Sequence, residues 1–228
     1  MPAHFFAGSA AKENIVQILT QKPEGYLLAK KQSEVIDQIL GFQYDKIETE
    51  LQLQEKNNLQ KNKTTWANVH IQGHQTPYSE LLEICQYLKL PEQSQIIDFG
   101  AGYGRLGIIL HLFYPSTSFR GFEISKLRVE EGQRVFTSLD IKTISLICQD
   151  IISKDFQIPD FDFAYIYDFG TEFDMKSLLK KLQAHSLKKR MTLVARGKGI
   201  RHWIMNENPW LSQVNEPYHT EHWSVFRS

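Results

Sequence analysis

Apolar positions along the chain follow two regimes. Up to about residue 65 they recur at helical spacing, in Ile15–Thr20 and again in Gln32–Phe42, where Ile36, Ile39 and Leu40 share a face. Lys46 to Lys63 is almost wholly polar and reads as an exposed helix or a linker. Thr64-Thr65-Trp66 then introduces the second regime. Thr76-Pro77 predicts a helix start, with a side-chain cap and a ring that needs no donor at the first helical position. That helix carries Tyr78, Leu81, Leu82, Cys85 and Leu88 and is stopped by Pro91.

Beyond it, short unbroken apolar runs alternate with amphipathic ones. Strands are expected at Gln95–Phe99, Ser118–Phe122, Thr143–Cys148, Phe163–Tyr167 and Met191–Arg196. Helices are expected at Tyr103–Phe113, Ser125–Thr137 and Met175–His185. Continuously apolar strands separated by helices indicate an α/β chain with a mostly parallel sheet covered on both faces. Two last segments, Leu211–Tyr218 and His222–Arg227, suit an antiparallel hairpin at the sheet's edge.

At 228 residues with 42% hydrophobic content the chain can bury a real core, as one domain or as about 150 residues with an attachment. The division expected is 1–65 as a helical N-terminal extension and 66–228 as the main domain. Formal net charge is zero, so the whole molecule advertises no polyanion partner. Charge is uneven, however. Acids dominate Glu34 to Glu55, and no acid occurs from Met175 to Asn206, a window that holds nine lysines and arginines from Lys176 to Arg201. A solvated surface is the plainer explanation of that run. Cys85 and Cys148 sit in apolar segments and are expected as buried free thiols. The first residues lack a basic, then apolar, leader, and no run approaches the ~20 apolar residues of a membrane span. A cytoplasmic protein is expected.

The chemistry concentrates in Ile96-Ile97-Asp98-Phe99-Gly100-Ala101-Gly102-Tyr103-Gly104. A buried strand ends in a carboxylate, a glycine turn follows, and a helix opens toward whatever binds there. Gly102 to Gly107 also satisfies GxGxxG, the dinucleotide fingerprint, which keeps an NAD(P)-dependent oxidoreductase in view. Asp98 weighs against it, because its charge would stand beside a pyrophosphate. A cationic cofactor reverses that judgement. The next two strands also end in acids. Glu123 is placed to accept hydrogen bonds from ribose hydroxyls, and Asp150 suits an adenine amino group.

Residues 76–228 resemble a class I S-adenosylmethionine-dependent methyltransferase, the seven-stranded Rossmann-like doubly wound group. IIDFGAGYG resembles its first motif, GFEIS its ribose acid and ICQDI its adenine acid. A looser resemblance connects GHQTPYSE and the intervals that follow it to the non-SET histone-lysine methyltransferases. The resemblance implies S-adenosyl-L-methionine as cofactor, held by Thr76, Asp98, Gly100, Gly102, Gly104, Glu123 and Asp150, and a transferase of EC class 2.1.1. Tyr167-Asp168-Phe169-Gly170 departs from the Asn-Asn-Phe type sequence of the lysine enzymes.

Tyr167 and Asp168, at the end of the fourth strand, are the candidate catalytic residues, with Asp168 equally suited to capping the helix after Thr171. Phe169 and Thr171 adjoin them. Tyr78 and Glu80 are ordinary helix-start residues or entrance residues. The acceptor expected is a protein lysine or a small molecule. A nucleic-acid methyltransferase or binder using residues 176–201 is the alternative. The pairs His70/His74 and His219/His222 lack a third ligand, so no metal is expected. Trp203, Trp210 and Trp223 are expected to pack the core and edge.

Overall fold

The computed structural model describes residues 8–57, 73 and 75–228. Thr64–Trp66, His70 and His74 lie outside these residues. Three helices come first: α1 (Gly8–Thr20), α2 (Tyr26–Leu40) and α3 (Tyr44–Asn57). Gly41 ends α2 in the left-handed conformation, and its amide turns back onto Asp37 and Gln38 carbonyls, so the helix stops before Phe42. The polar stretch that begins at Lys46 continues α3 as far as Asn57.

The main body then runs α4 (Tyr78–Leu88), β1 (Gln95–Phe99), α5 (Arg105–Phe113), β2 (Ser118–Glu123), α6 (Lys126–Ser138), β3 (Ile144–Cys148), β4 (Phe163–Tyr167), α7 (Glu172–Ser186), β5 (Thr192–Arg196), α8 (Lys198–Glu207), β6 (Tyr218–His219) and β7 (Trp223–Arg227). The seven strands lie in the order β3-β2-β1-β4-β5-β7-β6. β1 to β5 pair in parallel, and β7 joins antiparallel to β5 and to β6. Strand order therefore reverses between β1 and β4, which opens a crevice at the carboxyl end of β1.

Alternate residues of β1 serve different layers. Ile96 joins the core under α1, α2, α4, α5 and α6, and Ile97 and Phe99 join the core under α7 and α8. Asp98 shares the face of Ile96, which turns it toward α4 and α5. The N-terminal helices are part of the first core: Ala11, Ile15, Leu19, Ile36 and Leu40 are buried in it. Each of these isoleucine and leucine side chains contributes roughly 1.5–3 kcal/mol by leaving water.

Several local expectations are corrected. The edge hairpin forms, but its first strand is only Tyr218–His219. Leu211 instead closes a 3₁₀ turn begun by Pro209, and Pro217 has no amide to give a ladder. α8 occupies a stretch where the pattern predicts no element. Only Ile200 and Ile204 are buried on it, too few to show a period. Thr76 does not cap α4; Pro77 is the N-cap residue, and Ser33 Oγ of α2 receives the Tyr78 amide at 3.1 Å. Cys85 is buried, its thiol pushed up to about 12 by burial, whereas Cys148 is exposed because β3 is the outermost strand.

Candidate cofactor and active site

β1 delivers Asp98 to the crevice, and the turn after it is built on three left-handed glycines, Gly100 (φ 86°), Gly102 (φ 55°) and Gly104 (φ 82°). Their reasons differ. A Cβ on Gly102 would meet nothing within 4 Å, so its face of the turn stands open to the crevice. One on Gly104 would come within 2.6 Å of the Phe136 ring, so here the turn is pressed against α6. Gly104 also forms the N-cap of α5, which places the helix start at Arg105 rather than Tyr103.

Asp98 is 5% exposed and lines a pocket together with Gln75, Thr76, Gly100, Gly102, Arg105, Tyr165 and Tyr167. No hydrogen bond or ion pair reaches its carboxylate among the described residues. Burial pushes its carboxyl well above the usual carboxylate range, and the nearby Glu123 charge adds to the push. Thr76 is buried, with Oγ1 2.5 Å from Tyr165 Oη.

Glu123 ends β2 in a different state. It is buried and accepts from the Gly102 amide at 3.0 Å and the Ser125 amide at 2.9 Å. The ribose-acid candidate is thus tied directly to the glycine turn. Asp150, after β3, accepts from the Ile152 amide at 3.1 Å.

The two candidates after β4 diverge. Tyr167 lines the pocket, its hydroxyl donates to the Gly73 carbonyl at 3.0 Å, and the Arg196 guanidinium lies 4.3 Å from its ring centre. Asp168 accepts from the Gly199 and Ile200 amides at 3.0 and 2.6 Å, which makes it the anion at the N-terminus of α8. The helix after Thr171 has its own capping box, Thr171 with Asp174. Asp168 is therefore a helix-capping residue, for α8 rather than for α7. Neither Tyr78 nor Glu80 is an ordinary helix-start residue. Tyr78 is fully buried and donates to Asp37 at 2.9 Å, and Glu80 is buried against Arg196 at 2.5 Å.

Pattern reading missed the residues that brace this site from the N-terminal helices. Asp37 of α2 pairs with Arg105 and also accepts from Tyr44 at 3.0 Å. Arg105 in turn donates to the Thr76 carbonyl at 3.1 Å. Burial alone would lower the Arg105 pKa, but Asp37, Tyr44 and Tyr78 carry it above its ordinary value. Glu48 of α3 accepts from Arg128 at 2.9 and 2.8 Å and from Tyr103, the residue between Gly102 and Gly104, at 2.6 Å. Both sides of the glycine turn are thereby fixed to helices far away in sequence. The available signal was an acid on the apolar face of each helix, at Asp37 beside Ile36 and Leu40 and at Glu48 beside Leu51.

Glu80 also lines a larger groove of about 820 Å³ between the α1–α2 turn, α4 and the β6–β7 turn, with Tyr26, His222 and Trp223 among its walls. Arg196 lies between Glu80 on this side and Tyr167 on the pocket side. Among the described residues no group of three metal-ligating side chains occurs, and no helix is long and apolar enough to cross a membrane. His219 contacts Ser224, and His222 packs on Tyr26.

Residues 54–166 match the methyltransferase small domain family. The matched segment, just under half of the chain, contains the glycine turn and the three strand-end acids. No curated protein is detectably similar to the chain in sequence. TrmN from Thermus thermophilus has a similar fold, with a TM-score of 0.50 at 10% identity over 67% of this chain and 48% of that one. An RNA methyltransferase from Salinibacter ruber, solved with S-adenosyl-L-homocysteine, gives 0.49 at 16% identity over 67% and 91%. A SAM-dependent methyltransferase from Aquifex aeolicus gives 0.48 at 12% over 65% and 88%. Family match and sheet order together support a class I methyltransferase with an α/β Rossmann-like fold. The resemblance to histone-lysine enzymes gains no support from them.

Proposed function

We propose that the protein is a S-adenosyl-L-methionine-dependent methyltransferase whose cofactor lies along the glycine turn. The observation that carries this reading is Asp98, a buried carboxylate at the switch point of the sheet that has no partner among the described residues. An unpaired buried charge is costly, and a second acid, Glu123, stands near it. Such a pocket favours a cation and opposes a pyrophosphate, which separates a sulfonium and ammonium compound from a dinucleotide. In this reading Thr76, Gly100, Gly102 and Gly104 line the cofactor, Glu123 takes the ribose hydroxyls and Asp150 the adenine edge.

The cofactor supplies a methyl group already bonded to a good leaving group. What remains for the chain is to hold an acceptor lone pair about 3 Å away, in line, and to exclude water. Tyr167, with Arg196 against its ring, forms the acceptor-side wall. The acceptor is a protein amine or a small molecule rather than nucleic acid, because much of the basic stretch is occupied internally. Lys176 pairs with Glu172 and Glu207, Lys181 donates to three carbonyls, Lys189 pairs with Asp162, and Arg201 holds the Thr220 and Glu221 carbonyls.

Calorimetry tests the cofactor. S-adenosylmethionine should bind, and Asp98→Asn should weaken it by about 1–3 kcal/mol, the scale of a hydrogen bond to a charged group. Because the Asp98 carboxyl is raised above its unfolded value, the folded protein without ligand holds this proton to higher pH than the unfolded chain does. Affinity for the cation should therefore rise with pH as Asp98 ionises. Binding of NAD(P)H without binding of S-adenosylmethionine overturns the reading. Methyl-labelled cofactor with fractionated cell extract then shows which class of molecule receives the label.

A further inference from the structure

Arg128 of α6 is buried and turns different edges of its guanidinium to two acids. Nε and Nη2 donate to the two carboxylate oxygens of Glu48, from α3, at 2.9 and 2.8 Å, the paired geometry that suits a planar fork. Nη1 stands 4.0 Å from Glu123 Oε1, close enough to attract and too far for a hydrogen bond. Burial alone would lower the Arg128 pKa, but Glu48 and Glu123 carry it above its ordinary value, so the group keeps its charge. Tyr103 donates to Glu48 at 2.6 Å and holds that carboxylate in place.

An ionised carboxylate has about four acceptor positions. On Glu123 the Gly102 and Ser125 amides fill two, and about two remain, the number that a ribose diol requires. A guanidinium that closed the remaining gap would occupy them instead, and in a buried place the attraction between the two charges is strong. Glu48 opposes that closure by gripping the opposite edge of the same arginine. We infer that Glu48 is a positioning residue for the cofactor: it draws Arg128 away from Glu123 and so leaves the ribose acid open to hydroxyl groups. This rests on the reading of Glu123 as the ribose acid. It gives α3 a part in cofactor binding that goes beyond packing.

The test compares two ligands that differ only in the ribose, S-adenosyl-L-homocysteine and its 2′,3′-dideoxy analogue, by calorimetry on the full chain. Glu48→Gln keeps the shape and an acceptor for Tyr103, but it releases Arg128 toward Glu123. It should weaken S-adenosyl-L-homocysteine by about tenfold, the consequence of losing a hydrogen bond to a charged group, and leave the analogue within about twofold. Adding Arg128→Met to Glu48→Gln removes the competitor together with its restraint. Affinity for S-adenosyl-L-homocysteine should then recover to within about threefold of wild type, a coupling opposite in sign to two losses that add. A merely structural role predicts additive losses that fall on both ligands alike. The double variant leaves no member of the Glu48–Arg128 pair unpaired, so it also decides the matter if Glu48→Gln alone does not fold. No loss with Glu48→Gln, an equal loss for both ligands, or no recovery in the double variant overturns the assignment. If the wild-type protein binds neither ligand, the cofactor reading itself falls. If it binds both equally well, only the ribose role of Glu123 falls, and this assignment goes with it.

Discussion

Two charged stretches flank the sheet, and their side chains go in opposite directions. In the acidic one, Asp37 and Glu48 turn inward, are almost fully buried, and end on Arg105, Arg128 and three tyrosines around the glycine turn. In the basic one, most bonds stay at the surface: Lys176 with Glu172 and Glu207, Lys189 with Asp162. Arg196 alone crosses into the interior, to Glu80. Density of charge along a chain therefore says little about where charge matters. What matters is whether the opposite charge is waiting at a buried place, since a buried pair that loses one member leaves the other unsolvated. An exposed pair that is broken returns both members to water at little cost.

Substitutions on the two sides should differ accordingly. Asp37→Ala strands Arg105 and deprives Tyr78 and Tyr44 of their acceptor. It should cost about 3–5 kcal/mol in urea unfolding, the range for breaking a buried pair. A loss below about 1 kcal/mol would mean that solvent reaches the pair.

Lys30, on the same helix, sharpens the comparison through pH. Its amine is lowered to about 7 by burial first, then by Arg105 and Arg196, with Glu80 and Asp37 opposing. Between that value and its ordinary 10.5 the unfolded chain holds a proton that the folded chain has released. Stability should therefore climb with pH across this window, and the penalty should be fully present below it. Lys30→Met should flatten that climb in thermal melts recorded from neutral to alkaline pH. A melt profile identical to wild type would show that the amine titrates normally. Smallest of all, Lys180→Ala and Lys188→Ala on the basic side should each change stability by less than about 0.5 kcal/mol, as surface substitutions do. Neither should alter retention on heparin; a clear loss of retention at low salt would restore the nucleic-acid alternative.

Local chemistry was legible in the sequence, and long-range chemistry was not. β1 and β4 stand where unbroken apolar runs predict them, because a strand covered on both faces writes its burial into every residue. Asp98, Glu123 and Asp150 could be placed at the ends of their strands because strand ends and glycine turns are local marks. Glu48 and Arg128 are eighty positions apart, and nothing in either neighbourhood announces the other. Asp168 was expected to cap the helix after Thr171, whereas its amide donors belong to α8, a helix with too short an apolar face to be anticipated.

The footing of the glycine turn has a practical consequence for anyone who handles this protein in pieces. The segment recognisable by family begins at residue 54, and a cut there looks natural. It would remove at once Asp37 and Glu48, the acids that pair with Arg105 and Arg128, and leave Arg128 with Glu123 alone. The front of the polypeptide belongs to the foundations of the binding crevice, and trimming should begin elsewhere.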